Sequence, residues 1–330
     1  YKGVRVPYIT EIREWPRPTG LPAYMAGEVH SWGISAATPA AEIALVNANP
    51  VLRAESHPGL PTNTDYMGFN TTGKFEGLDK RDVRVALCKA IDKANLVGEI
   101  FKGFSYPTYG ILPKNFPNYN EAELMQLEPN VYDPEAAKQL LSKAGYPDGK
   151  GFPKYEIWIR APSAQLQALC QGIQARWKEN LGIEVELRPS DFQSFTSNLK
   201  ENEPIYVVNY DKDYFDPATF LGIFRSGGRH PHSDPAWDEF YLKANGILDQ
   251  EKRFAELKKA EVMLFQDGVF YGLHSPFAIS LFPCNATGEW LQPNKDGYVF
   301  LGTQGAGAPG LPHAHEKWYW SNSNCRAHLK

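Results

Sequence analysis

The stretch YEIWIRAPSAQLQALCQGIQARWKENLGIEVELRPSDFQSFTSNLKENEPIYVVNY, residues 155–210, decides the fold. Short runs of β-branched and aromatic residues, Tyr155–Arg160, Ile183–Leu187 and Ile205–Tyr210, read as strands. Between them, apolar residues at three-to-four spacing predict helices over Ser163–Leu181 and Ser190–Leu199. Ser163 and Ser190 stand where an N-cap hydroxyl would take a free amide. Strand, helix, strand, helix, strand is the βαβ pattern. It predicts an α/β lobe with a mixed, largely parallel sheet whose faces are covered by helices.

Outward from this core the pattern continues. Upstream, Val83, Leu87, Ala90, Ile91, Leu96 and Ile100 predict a helix from Asp79 that carries Cys88. Asp133 before Pro134 is a helix start, because the carboxylate accepts free amides and proline loses nothing at the first position. Leu140, Leu141 and Ala144 form its apolar stripe, and Gly145 supplies the left-handed end. Downstream, helices are expected over Pro235–Leu248 and Gln250–Gln266, then a strand over Val269–His274. After Pro276 periodicity is lost in favour of Gly, Pro and aromatics. The opening stretch carries a strand pattern at Ile9–Ile12 and a short helix, Leu21–Met25, ending at Gly27. Tyr66–Phe69 reads as a strand leading into Asn70.

Composition narrows the function. The 330 residues carry a net charge of -4, with 34 Lys and Arg scattered among 38 Asp and Glu, so no basic stripe is available for nucleic acid. No apolar run approaches the roughly 18 residues of a spanning helix. Cys88, Cys170, Cys284 and Cys325 form no CxxC pair, and the sequence predicts no cofactor and no metal site. His313 and His315 beside Glu316, and His230 and His232 around Pro231, read as loop histidines. Asn70-Thr71-Thr72 and Asn285-Ala286-Thr287 fit the glycosylation pattern without implying it. There is no Gly-x-Ser-x-Gly elbow, and the glycines of Gly302–Gly310 lack the Lys-Ser/Thr of a phosphate loop.

Several segments resemble, in order, the extracellular solute-binding proteins of ABC importers that take oligopeptides, dipeptides, nickel or oligosaccharides (family 5). Ala26-Gly27-Glu28-Val29 resembles the family's Ala-Gly-Glu-Ile-Asp, with His30 in place of Asp. Tyr66–Asn70 resembles a strand ending in Phe-Asn. Asp82-Val83-Arg84-Val85-Ala86-Leu87 with Ala90-Ile91-Asp92 resembles its most recognisable helix. Tyr132–Ala137 with Leu140-Leu141 and Ala144–Pro147, Gln174–Trp177, Gly182–Val185 and Asp213-Tyr214-Phe215-Asp216-Pro217 complete the series.

The resemblance implies a lobe of the type II periplasmic binding protein kind plus part of a second lobe. Residues 1–69 would be part of lobe I, 70–276 lobe III, and 277–330 a return into lobe I, with a hinge near Asn70 and Pro276. Members are longer, beginning with a strand of lobe I and a whole lobe II. The chain is expected to fold but to hold ligand weakly by itself. The implied function is capture of a peptide or an oligosaccharide for delivery to the transmembrane subunits of a permease, by a monomer without catalysis. Its place is the periplasm or the extracellular face of the envelope, secreted or lipid-anchored. A secreted hydrolase and a ligand sensor are the rival readings.

Site residues follow. Asp213 lies beyond a strand end, where ligands of parallel sheets gather, and relatives use the matching Asp for a ligand amine. Tyr210 matches an aromatic that packs on the ligand. Val208 and Asn209 would offer backbone groups to an extended ligand, and Trp32 would stack on it from lobe I. Gln165, Leu166, Gln167 and Ala168 supply no cation where dipeptide binders hold the carboxylate, which disfavours a dipeptide specialist. An exported protein meets oxidising conditions, so a Cys284–Cys325 disulfide is expected in the irregular tail, with Cys88 and Cys170 as buried thiols.

Overall fold

A computed structural model describes residues 20–282, except 30, 36–37, 60, 115, 117, 161–162 and 278, together with two short strands at 286–287 and 319–320. The chain divides into two compact units, one of residues 1–61 and 277–330 and one of Thr62–Pro276. Ile9–Ile12, Cys284, Cys325, Gly302–Gly310, Asn285 and the His313–Glu316 cluster lie outside the described residues.

The first unit contains α1 (Gly20–Ala26), β1 (Trp32–Ile34), α2 (Ala40–Ala48), α3 (Pro50–Ala54), β2 (Ser56–Pro58) and, after the chain returns, β9 (Ile279–Leu281). β9 is the middle of a three-stranded antiparallel sheet, with Trp32 and Ser56 both in register with Leu281. The expected end of the first helix is met by Gly27 at φ +78°. Asn49 caps α3, its side chain accepting from the amides of Val51 and Leu52. Ala286–Thr287 (β10) pairs with Tyr319–Trp320 (β11).

The second unit begins with β3 (Asn63–Phe69), α4 (Arg81–Lys89), α5 (Lys93–Phe101) and β4 (Ser105–Pro107). It continues through α6 (Glu121–Leu124), α7 (Pro134–Lys143), β5 (Tyr155–Arg160), α8 (Ala164–Leu181), β6 (Val185–Ser190) and α9 (Phe192–Asn198). It ends with β7 (Ile205–Asp211), α10 (Ala218–Leu221), α11 (Pro235–Asn245), α12 (Gln250–Gln266) and β8 (Phe270–Pro276). The six strands stand in the order β4-β8-β3-β7-β5-β6.

The sheet is mixed as expected, but it is not largely parallel. β5 runs parallel to both β6 and β7, whereas β3 runs antiparallel to β7 and β8, and β8 antiparallel to β4. Only the stretch joined by the crossover helices α8 and α9 keeps one direction, because a parallel neighbour needs such a crossover. The boundary between units also moves. It falls at Pro61–Thr62 rather than at Asn70, because β3 is an inner strand of this sheet.

The inner strands are buried on both faces, so Tyr66, Met67, Phe69, Ile205, Tyr206, Val207, Val208, Phe270 and Tyr271 are all core. Gly68, opposite Tyr206, is required by that packing: a Cβ there would stand 2.2 Å from the Tyr206 ring. On α8, Leu166, Leu169, Cys170, Ile173, Trp177 and Leu181 repeat at three-to-four spacing and are all buried. Trp177 Nε1 donates to the Leu87 carbonyl at 2.7 Å, and Asn180 donates to that of Ala90 at 2.8 Å. These two bonds tie α8 to the end of α4.

The single helix expected from Asp79 is two. α4 stops at Lys89, and Asp92 opens α5 by accepting from the Asn95 amide. Arg84 on α4 is 3% exposed, and its guanidinium donates to the carbonyls of Leu78, Asp79, Asp267 and Gly268 and to the Asp267 carboxylate. The arginine of the Asp-x-Arg motif is thus a clamp between two loops. Asp133 caps α7 and Ser163 caps α8 as read, but α9 is capped by Asp191, whose Oδ1 accepts from Gln193 and Ser194 at 2.9 Å. Ser190 is instead the last residue of β6. Asn70 of the glycosylation pattern is fully buried.

Candidate functional site

β5, β6, β7 and β8 all end at one edge of the second unit's sheet, where β3 and β4 begin. The chain enters this unit just before β3 and leaves it just after β8, at the same edge. Carboxyl ends of parallel strands are where α/β sheets gather their ligands, since side chains there are held by the sheet yet not covered by the crossover helices.

Asp213 is exposed, two residues beyond the end of β7. Tyr210 donates its hydroxyl to Asp213 Oδ2 at 2.6 Å, and the Asp213 amide donates to Thr219 Oγ1 at 3.1 Å. The half-buried Tyr210 ring meets Phe220 edge-on at 5.6 Å and carries the Arg229 guanidinium 5.5 Å from its centroid. Burial, then the bond to Asp213, pushes the Tyr210 hydroxyl up to about 12. It therefore stays a donor at neutral pH. Among the described residues no cation pairs with Asp213. Its neighbour Asp216 differs: it accepts from the Ala218 amide and from the Arg253 guanidinium, and so is spent on structure.

The other expected residues separate. Val208 is fully buried opposite Tyr66. β7 is flanked by β3 along its whole length and by β5 as far as Val207. Val208 and Asn209, expected to offer backbone groups to an extended ligand, thus lie where the β3 side of β7 is paired and the pairing with β5 has stopped, and the Asn209 carbonyl accepts from Arg160 Nη2 at 3.1 Å. Trp32 belongs to the first unit, half-buried on β1.

Three features of the edge were missed. Arg160 ends β5, bonded to the Asn209 side chain as well as its carbonyl, with its guanidinium 5.4 Å from the Phe192 ring centroid. The strand-end rule that singled out Asp213 would have found it. Arg229 sits in an aperiodic Gly-rich loop with no such signal. The third feature is a line of Ser105, His274 and Asp65. Ser105 Oγ lies 2.8 Å from His274 Nδ1, and His274 Nε2 lies 3.7 Å from Asp65 Oδ2.

That line has the residue types of a hydrolytic triad but other properties. All three residues are buried, the second gap exceeds a hydrogen bond, and the Phe101 ring packs 4.1 Å from the imidazole. Burial pushes His274 down to about 3 and Asp65 up to about 7. A histidine that resists protonation so strongly is a poor general base.

His230 is likewise structural: its Nε2 lies 2.6 Å from the Tyr66 hydroxyl, and its ring stacks on Tyr206. Cys88 and Cys170 are buried free thiols, pushed up to about 12 by burial. No described helix is long and apolar enough to cross a membrane.

A mixed sheet with flanking helices and a ligand-gathering edge is the architecture of the type II periplasmic binding proteins, and solved structures agree. The unliganded murein tripeptide-binding protein MppA matches at TM-score 0.70 over 91% of this chain and 54% of its own, with 19% identity. A periplasmic oligopeptide-binding protein from Borrelia burgdorferi matches at TM-score 0.65 with 27% identity, over 82% of this chain and 53% of its own. Residues 8–231 match the model of the bacterial extracellular solute-binding proteins, family 5 Middle, and the chain belongs to that family.

Curated relatives include heme-binding protein A of Haemophilus influenzae, 27% identical over 68% of this chain and 41% of that protein. Oligopeptide-binding protein OppA of Bacillus subtilis is 27% identical over 71% of this chain and 42% of its own. The chain thus spans about two fifths of the length of these relatives.

Proposed function

We propose that the chain is part of the solute-binding component of an ABC importer, working at the periplasmic or extracellular face of the envelope, and that its ligand is a peptide. Several relatives are named for oligopeptides or dipeptides. One observation carries the reading: the exposed Asp213 carboxylate at the ligand-gathering edge, oriented by the Tyr210 hydroxyl and with no cation paired to it among the described residues. A peptide's free α-amine is the charge this arrangement lacks. Delivery to the transmembrane subunits of a permease, without chemical change to the ligand, completes the proposal.

The test is calorimetric titration with tri-alanine and with its N-acetyl derivative. A charge-assisted bond to Asp213 is worth on the order of 1.5 to 3 kcal/mol. Acetylation, or Asp213→Asn, should therefore weaken binding by roughly 10-fold to 150-fold. A neutral sugar would lose only about 1 kcal/mol with Asp213→Asn. Equal binding of the free and acetylated peptides removes Asp213 from the site.

A further inference from the structure

We infer that Phe215 is a platform for the first side chain of the ligand, so that the protein prefers peptides that begin with an aromatic residue. The inference rests on the peptide reading above, with the amine at Asp213.

The loop that follows Asp213 is pinned at both ends. The Asp213 amide donates to Thr219 Oγ1, and Asp216 accepts from the Ala218 amide and the Arg253 guanidinium. Between these anchors the Asp216 amide donates to the Tyr214 carbonyl at 2.9 Å, a three-residue turn with Phe215 at its apex. The turn holds Phe215 at the surface, 49% exposed, directly after Tyr214 at 43%. Two large aromatics exposed in succession in a pinned loop mark a surface that something covers.

The platform has a rigid floor. The Phe215 ring lies 4.6 Å from that of Phe116, which is 4% exposed and meets Phe220 edge-on at 5.2 Å. Phe220 is also the ring against which Tyr210 is anchored. The residue that orients Asp213 and the residue that supports Phe215 thus lean on one side chain, which fixes the spacing between amine acceptor and exposed ring. In a peptide, the carbon that bears the amine also bears the first side chain. A ligand whose amine is taken by Asp213 therefore brings that side chain past the same short loop. There an aromatic ring gains most, because it can set its edge or face against another ring.

The platform can be tested by calorimetric titration with Phe-Ala-Ala, Ala-Ala-Phe and tri-alanine. Phe-Ala-Ala should bind about 3-fold to 10-fold tighter than tri-alanine, the gain of one aromatic pair, and Ala-Ala-Phe should match tri-alanine. The advantage of Phe-Ala-Ala should vanish in Phe215→Ser and persist in Phe215→Tyr, with folding checked by thermal melting. No advantage in the wild type, an equal gain for Ala-Ala-Phe, or an advantage that survives Phe215→Ser overturns the inference.

Binding of none of the three overturns the peptide reading instead, and the platform is then probed with phenethylamine against ethylamine. Shifts of the Phe215 ring resonances with phenethylamine alone would support the platform without the peptide. Their absence, or equal shifts with both amines, would overturn it.

Discussion

Tyr210 Oη lies 2.6 Å from Asp213 Oδ2, and this bond turns a loop carboxylate into a directed acceptor. The ring is anchored against Phe220 and beneath Arg229, so the hydroxyl holds one carboxylate oxygen and leaves the other to solvent. Removing the hydroxyl keeps the charge of Asp213 but frees its rotation. Tyr210→Phe should weaken tri-alanine by about 3-fold to 10-fold, less than Asp213→Asn, as fits one ordinary hydrogen bond. A loss equal to that of Asp213→Asn would mean that the ring, rather than the bond, does the work.

Arg84 predicts the largest loss of stability. Its guanidinium serves four carbonyls and a carboxylate from a 3% exposed position, a geometry a lysine ammonium cannot reproduce. Arg84→Lys should cost about 3 kcal/mol in urea unfolding, since it strands several buried carbonyls. A loss below roughly 1 kcal/mol would show that water replaces the missing donors.

Gly68 predicts a coupled pair. A Cβ there would stand 2.2 Å from the Tyr206 ring, in the middle of two paired strands, so Gly68→Ala should destabilise by about 2 kcal/mol or more. Tyr206→Val, which removes the ring, should recover part of that loss in the double variant. Strict additivity in a double-mutant cycle would refute the contact as the cause.

Glu203 predicts a pH dependence. It is fully buried, neither carboxylate oxygen has a hydrogen-bond partner among the described residues, and burial raises its pKa from 4.5 to about 8. In the window between those values the folded protein keeps a proton that the unfolded chain releases. The unfolded state binds fewer protons there, so this residue's contribution to stability falls as pH rises. Glu203→Gln should leave stability near pH 4 almost unchanged and raise it at pH 9 by on the order of 2 kcal/mol. A Gln variant no more stable than wild type at pH 9 would mean that the carboxylate finds water or a cation.

How much of this was legible in the sequence depended on how local the cause was. Strand, helix and cap signals across 155–210 act within a few residues, so β5, α8, β7 and the Ser163 cap were read nearly as found. Competition between adjacent residues blurred the edges: Asp191 rather than Ser190 caps α9, and Asp92 cuts one expected helix into two. Strand direction was not local at all. β3 and β8 are paired by partners far away in the chain, so nothing near Tyr66 or Phe270 announces an antiparallel neighbour. At the site the same division holds. Asp213 and Arg160 follow from being at strand ends, while Arg229 reaches Tyr210 from a loop whose path is set by the buried His230 beside it.

The carboxyl edge of this sheet is proposed to capture a peptide by its amine at Asp213. Its most direct test is a titration of the chain with tri-alanine up to millimolar concentration, followed by the backbone amide resonances of residues 209–219 and repeated on Asp213→Asn. Capture at Asp213 should give saturable shifts centred on Tyr210, Asp213 and Thr219 that need at least about 10-fold more peptide in the variant. Shifts that saturate at the same concentration in both proteins, or none at these residues in the wild type, would contradict it.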